Sequence, residues 1–508
     1  MITVSDAWKD IQQRFLVSES HIEIDCTITD EGAQESATIQ GADEATYSNA
    51  EDVLGSSVSV KCATNELNFW ALDGTRTILP TVNYQTNTGY VSNIASTGSV
   101  IISFPVIRQK AISGVTITWG ALYGEYPKVF TVTGKNGATV VAETTITDNT
   151  ESTSVVFVGL ENYDSITITV HNWNVPYRRV RIEKVLIGHS LTFTKQDLLN
   201  YKHEQNGDLL SGSLPKNSIE FTLDNSDGRW NPNNPTGMQQ YLTERQKLVV
   251  RYGLEANGTI EWIDAGTFYL AEWNAPSNGL EAHFVARDVF EFLINSDMKG
   301  ASVGGNLAHI VRWASNFLLP DDVEFDIDGV LENTPFVSLD LQESVTAAEI
   351  VQKCANAARC VLRYDRKGIL HIEPLNTAYT DYKIPLSLSY THPEVTLLKP
   401  LKKVSVDYGG ETPYELTVSN IGEVQTASNE YLVNATQAAL FAEWVKGVLG
   451  SRKTISGEFR ADPRLDLFDI VVVESKYGEL KPVAITNITY TFNGSFRGSY
   501  VGRVLEEL

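Results

Sequence analysis

Residues 214–225 read LPKNSIEFTLDN, and this stretch decides the class of fold. Ile219, Phe221 and Leu223 take every second place, the period of a strand with one face in a core. The run from Asp224 to Gly237 then turns the chain with Asp, Asn, Gly and Pro. The same period recurs outward. Upstream, Ile22, Ile24, Cys26 and Ile28 alternate with Glu23, Asp25, Thr27 and Thr29, and Val115, Ile117 and Trp119 alternate with threonines, as do Ile166, Ile168 and Val170. Downstream, 248–252, 268–273 and 281–286 read as strands, Val404, Val406 and Tyr408 alternate, and 470–473 opens a last meander. Many short strands between turn signals such as 134–137 and 148–149 predict a β-sandwich over about 58–188. The stretch 30–57 is polar and small-residue-rich, which makes it a loose connection.

Helical spacing is confined to a few places. Ser5 caps a predicted helix whose face carries Trp8, Ile11 and Phe15. Leu307, Ile310, Val311, Ala314, Phe317 and Leu318 form an amphipathic helix closed by Pro320. A second runs over about 346–358 with Ala347, Ile350, Val351 and Cys354 on one face, followed by a hairpin at 361–372. A short helix falls at about 436–449.

The chain has 508 residues, too many for one core. Forty basic against 63 acidic side chains leave a net charge of −23, which repels DNA phosphates and weighs against a repressor, polymerase or nuclease. Four cysteines make no disulfide framework; Cys26 and Cys62 can pair in principle, and Cys354 and Cys360 read as buried thiols. The first residues lack the apolar block of a signal peptide, no run has the length of a membrane span, and synthesis in the cytoplasm follows.

Catalytic chemistry has no motif here. The eight histidines form no His-x-x-x-His pair, and neither a Gly-x-Ser-x-Gly elbow nor a phosphate-cradling loop is present. Asp224 to Gly228 resembles a calcium loop, but its glycine comes one place early and the closing glutamate is missing, so it is a turn. The reading is no enzyme, no cofactor and no metal. Two features carry positive content. Trp70, Asp73, Tyr123, Tyr126, Trp173 and Tyr177 offer aromatic faces beside polar groups, which a sugar ring needs; the alternative is that these aromatics fill the sandwich core. Arg178, Arg179 and Arg181 cluster in an acidic chain, either to meet an acidic neighbouring subunit or domain or to form ion pairs inside their own domain.

NFWALDGTRTILP (68–80), 89–92, SGVTITW (113–119) and NWNVPYRRVRIEKVLIG (172–188) resemble the discoidin-like, galactose-binding jelly-roll modules of phage tail-tip proteins. LPKNSIEFTLDN (214–225), Trp230-Asn231-Pro232, 241–242, 250–253 and WIDAGTF (262–268) resemble the first tube-like barrel of tail hub proteins. Residues 462–465, 469–473 and ITNITYTFNGSFRGSYVGRV (485–504) resemble the last barrel of the same family. The resemblance implies a mainly β, multidomain chain: two tail-tube-like β-barrels, an inserted jelly-roll β-sandwich and a small α/β middle domain. On that scheme 1–57 gives the N-terminal helix and first strands of barrel one, and 58–189 the sandwich. The remainder of barrel one is 190–298, the α/β middle 299–383, and the second barrel with its short helix 384–508. It also implies a baseplate or tail-tip hub, homotrimeric, in the virion. Implied partners are a distal tail or tube ring protein, a tape-measure protein, fibre or spike proteins and a host surface glycan, with DNA passing through without specific binding. The last barrel strand runs up to Leu508, so wall cleavage is expected of another chain. The acidity fits a negatively charged lumen. The rival readings are a hexameric distal tail protein and a glycan-binding adhesin.

Overall fold

A computed structural model describes residues 2–505 except 15–18, 30, 46–47, 55–88, 110, 121–123, 232, 235–236, 243, 257, 277–278, 317, 321–322, 336 and 377–381. The chain divides into two compact units, one formed by Met1–Asp25, Thr192–Asn234 and Glu244–Leu508, the other by Cys26–Leu191 with Pro235–Thr243. It is mainly β and multidomain.

The larger unit is built on ten strands: β1 (Leu198–Asn206), β2 (Lys216–Asp224), β3 (Lys247–Ala256), β4 (Thr259–Asn274), β5 (Glu281–Arg287), β6 (Glu394–Leu397), β7 (Lys453–Phe459), β8 (Ile470–Ser475), β9 (Gly478–Phe492) and β10 (Phe496–Val504). Alternation places one face of the strands other than β6 in the core: Ile219, Phe221 and Leu223 on β2 are nearly solvent-free, as are Tyr201 on β1 and Tyr490 on β9. Burying side chains of this size stabilises by about 1.5–3 kcal/mol each. The helix Asp6–Gln13 belongs here too. Ser5 caps it by accepting from the Trp8 amide at 3.1 Å, Trp8 and Ile11 are buried, and Gln12 Nε2 donates to the Ala461 carbonyl at 2.7 Å. A cap of this kind contributes about 1 kcal/mol. Phe15 lies outside the described residues.

Between β5 and β6 the helical spacing is realised as Leu307–Ser315 and Ala347–Ala357. The second helix begins in a capping box, Thr346 accepting from the Glu349 amide and Glu349 from the Thr346 amide. The hairpin Val361–Tyr364/Ile369–Glu373 packs beside them, with Glu324–Ile327 parallel to its second strand. The strand Leu401–Asp407 departs from the scheme that gives all of 384–508 to a barrel. It pairs with Tyr414–Thr417 and Glu423–Ser428 in a sheet of its own, because Val404 and Val406 bury against the core of the middle helices. The helix Ala435–Gly450 covers it.

The smaller unit is a two-sheet sandwich. One sheet runs Thr38–Ala42, Gly98–Arg108, Tyr163–Trp173, Pro127–Asn136, Thr139–Ile146; the other joins Arg179–Thr194 to Tyr90–Ala95 and to Ile112–Trp119, which pairs with Thr153–Leu160. Trp119, Phe130, Ile168, Trp173 and Ile187 fill the space between. The stretch 30–57 is not a loose connection. It holds the helix Glu31–Ser36, the strand Thr38–Ala42 and a 3-10 turn Ala50–Leu54, because Ala33, Ile39, Ala50 and Val53 are apolar enough to enter the sandwich core. The sandwich sheet therefore begins upstream of residue 58. Among the described residues no helix is long and apolar enough to cross a membrane.

Candidate functional site

The ten strands fall into two sets of five with one topology. The first set lies in the order β1-β2-β5-β4-β3, the second in the order β6-β7-β10-β9, with β8 on β9. Adjacent strands are antiparallel in both. Register shifts recur in two matching ladders, β3–β4 and β4–β5 in the first set and β8–β9 and β9–β10 in the second, while β2–β5 and β7–β10 run without a shift; β1–β2 has a further shift after Leu198 that β6–β7 lacks. A bulge fixes register, so its recurrence aligns the two sets residue by residue. The shift after Leu270 matches the one after Ile485, which puts Glu272 at the place of Asn487 and Val285 at that of Val501. Through the next ladder Ile219 falls on Ile455, Leu223 on Phe459, and Arg287 on Arg503. One difference is steric: Phe221 stacks on Phe284 at 5.0 Å, whereas Gly457 faces Tyr500, whose hydroxyl would lie 2.8 Å from any Cβ there.

The two sets are joined edge to edge. β1 pairs antiparallel with β9, from Tyr201 opposite Phe492 to Asn206 opposite Asn487. Beneath this seam lies a buried polar chain. His203 Nε2 donates to Asn217 Oδ1 at 2.7 Å, so Nδ1 accepts from the Tyr252 hydroxyl at 2.7 Å, and Tyr252 accepts from Tyr201 at 2.8 Å. Burial pushes the His203 imidazole down to about 3, helped by the charge of Arg366, and the ring stays neutral. Arg366, from the turn of the middle hairpin, donates to the carbonyls of Pro463 and Leu465, both at 2.6 Å. Asp466 accepts from Gln205 Nε2 at 2.9 Å. Burial acts to raise the Asp466 carboxyl, but Arg366 outweighs it and holds the group below its ordinary value. None of these residues shows in the sequence as a site, because Arg366 in a polar turn looks like any solvated arginine.

The opposite face of the seam is polar, with Lys202 opposite Thr491, Glu204 opposite Thr489 and Asn206 opposite Asn487. Acids such as Glu220 and Glu458 there are mixed with Lys202, Arg287 and Arg497.

A cleft of about 500 Å³ opens beside Arg366 and Asp466; among its lining groups Arg363 pairs with Glu373 and Arg366 with Asp466. Asp326, His371 and Glu373 place ligand atoms within 4.8 Å of one another. Both His371 nitrogens already meet carboxylates, Asp326 at 2.8 Å and Asp365 at 3.1 Å, and Glu373 accepts from Arg363 at 2.7 Å. The three side chains are thus tied into one hydrogen-bonded cluster with Asp365 and Arg363. Burial pushes the Cys360 thiol up to about 12 and raises Cys354 as well.

In the sandwich, Trp70, Asp73 and Tyr123 lie outside the described residues, as does Cys62. Trp173 is buried at 3% exposure, edge-on to Trp119, and donates its indole N–H to Glu125 Oε2 at 3.1 Å, so it is a core residue with no face for a sugar. Tyr126 packs on the same core and its amide donates to Asn174 Oδ1. Among the described members of the set Tyr177 is the exposed one, 67% accessible and at φ +62°. Arg178 and Arg181 are buried on Glu125 at 3.3 and 3.2 Å, an interior ion cluster in place of a surface for a neighbour. Arg179 is half-buried and donates to Asn93 Oδ1 at 3.4 Å.

No family model and no curated protein matches the chain. Among solved structures it is similar to a 43 kDa tail protein of prophage MuSo2 from Shewanella oneidensis, at 14% identity over 63% of this chain and 95% of that one, with a TM-score of 0.44. It is similar to a tail protein from Neisseria meningitidis MC58, at 11% identity over 63% and 95% with a TM-score of 0.43. It is also similar to prophage tail protein gp18 from Listeria monocytogenes EGD-e, at 11% identity over 63% and 93% with a TM-score of 0.42.

Proposed function

We propose that this chain is a structural, non-catalytic hub subunit at the tip or baseplate of a phage tail or a phage-derived injection particle. The observation that carries the reading is the repeat. One chain supplies two five-strand units of equal topology, already joined edge to edge through β1 and β9, so three chains supply six such positions around a bore. In this reading the polar face of the seam lines the channel, where mixed charge and threonines let a polyanion pass without adhering. The hub resemblance of residues 214–268 and 462–504 adds the partners: a distal tail or tube ring above, a tape-measure protein within, fibres or a spike outward. A hexameric distal ring is disfavoured because six copies of a two-repeat chain would make twelve positions. Of the candidate glycan residues that the structure describes, Tyr177 is the exposed aromatic that supports glycan binding by the sandwich.

Electron microscopy of the purified oligomer, with its mass, tests the reading. Three copies forming a ring of six like blades around a bore are expected. A monomer, or an oligomer with no bore, removes it.

A further inference from the structure

We infer that β6 of one copy adds to the free edge of β4 in a second copy of this chain, with Leu397 opposite Trp273. This rests on the ring reading above and names its interface. The two repeats are equivalent at this edge. β6 stands to β7 as β1 stands to β2, antiparallel in both cases. Carried through the ladders, Val395 occupies the place of His203 and Leu397 that of Gln205, since Val395 faces Ile455 and His203 faces Ile219. In the first set those two places are sealed by β9, and His203 and Gln205 are 0% and 2% exposed. In the second set Val395 and Leu397 are 45% and 61% exposed. Two apolar side chains on an edge strand invite pairing, and edges that stay solvated are guarded by charge or proline instead. The chain has put aliphatic residues where its own seam is buried.

The receiving edge is found the same way. β1 meets β9 directly after the register shift, at Asn487 and Ile488, and the matching places on β4 are Glu272 and Trp273. β3 reaches only to Tyr269 on that side of β4, so past it the edge has no strand partner among the described residues. Gln205 opposite Ile488 in the seam becomes Leu397 opposite Trp273 between copies. Head-to-tail addition of this kind closes into a ring when the rotation allows it.

The test uses the full chain. In Val395→Lys/Leu397→Lys the mass is expected to fall from three copies to one with a cooperative unfolding transition retained. In Leu397→Cys/Trp273→Cys, mild oxidation is expected to give covalent trimers that neither single variant gives, which decides the matter if the lysine variant fails to fold. A trimeric lysine variant, or a trimeric cysteine pair that never cross-links, overturns this interface and leaves the ring standing. A wild type that stays a single chain at every concentration overturns both.

Discussion

The guanidinium Nε of Arg366 lies 3.4 Å from Oδ1 of Asp466, with side-chain exposures of 4% and 19%. The contact keys the middle hairpin into the loop that precedes β8, under the seam between the two repeats. Removing one member of a buried pair strands the other charge, so Arg366→Met is expected to cost about 3–5 kcal/mol. Arg366→Lys restores a charge but not the two-carbonyl fork, and most of the loss should persist. Urea titration followed by tryptophan fluorescence measures both; a loss below 1 kcal/mol for the methionine variant would contradict the role.

His203 sets an acid limit on stability. Its folded value is about 3 against an ordinary 6.5, so the unfolded chain binds a proton that the folded chain refuses. The contribution is complete above pH 6.5 and is lost progressively as pH falls towards 3. His189, lowered by its own burial, acts in the same direction within the sandwich. The melting temperature should drop across that window, and less steeply in His203→Gln. Equal slopes in the two proteins would show that the buried ring is not the titrating group.

Glu125 is the counter-charge for two interior arginines. Glu125→Gln should destabilise the sandwich by about 3–5 kcal/mol, seen as new proteolytic cuts within 26–191. Tyr177→Gly, which removes an exposed side chain from a left-handed backbone, should leave the cleavage pattern unchanged.

Cys354 and Cys360 are buried with thiols raised in pKa, so neither should react with a thiol reagent in the native protein. Mass spectrometry after a short alkylation, with and without denaturant, gives the answer; native labelling at either position would mean that the middle helices open.

Strands that alternate over several residues, and helices with three–four spacing, were legible in the sequence. Ile22, Ile24 and Cys26, Ile219 to Leu223, and the helices at 307–315 and 347–357 all follow from periodicity. The segment 30–57 was not legible, because four small or apolar residues spaced irregularly suffice to seat it in a core. The interior placement of Arg178 and Arg181 was hidden because their partner, Glu125, comes from a distant loop. Trp173 looked like a sugar platform for the same reason: its burial depends on Trp119 across the sandwich. The repeat lies in ladder order and bulge position, and Phe221 against Gly457 shows how little side-chain identity the two copies need to share.

The pairing of β1 with β9 has a consequence for biosynthesis. At ribosomal speed roughly 15 to 60 seconds separate the emergence of the two strands. Throughout that interval β1 holds its apolar and hydrogen-bonding edge open to whatever else the cytosol offers. The nascent chain is thus open to mispairing at residues 198–206 until its carboxy-terminal sheet is made.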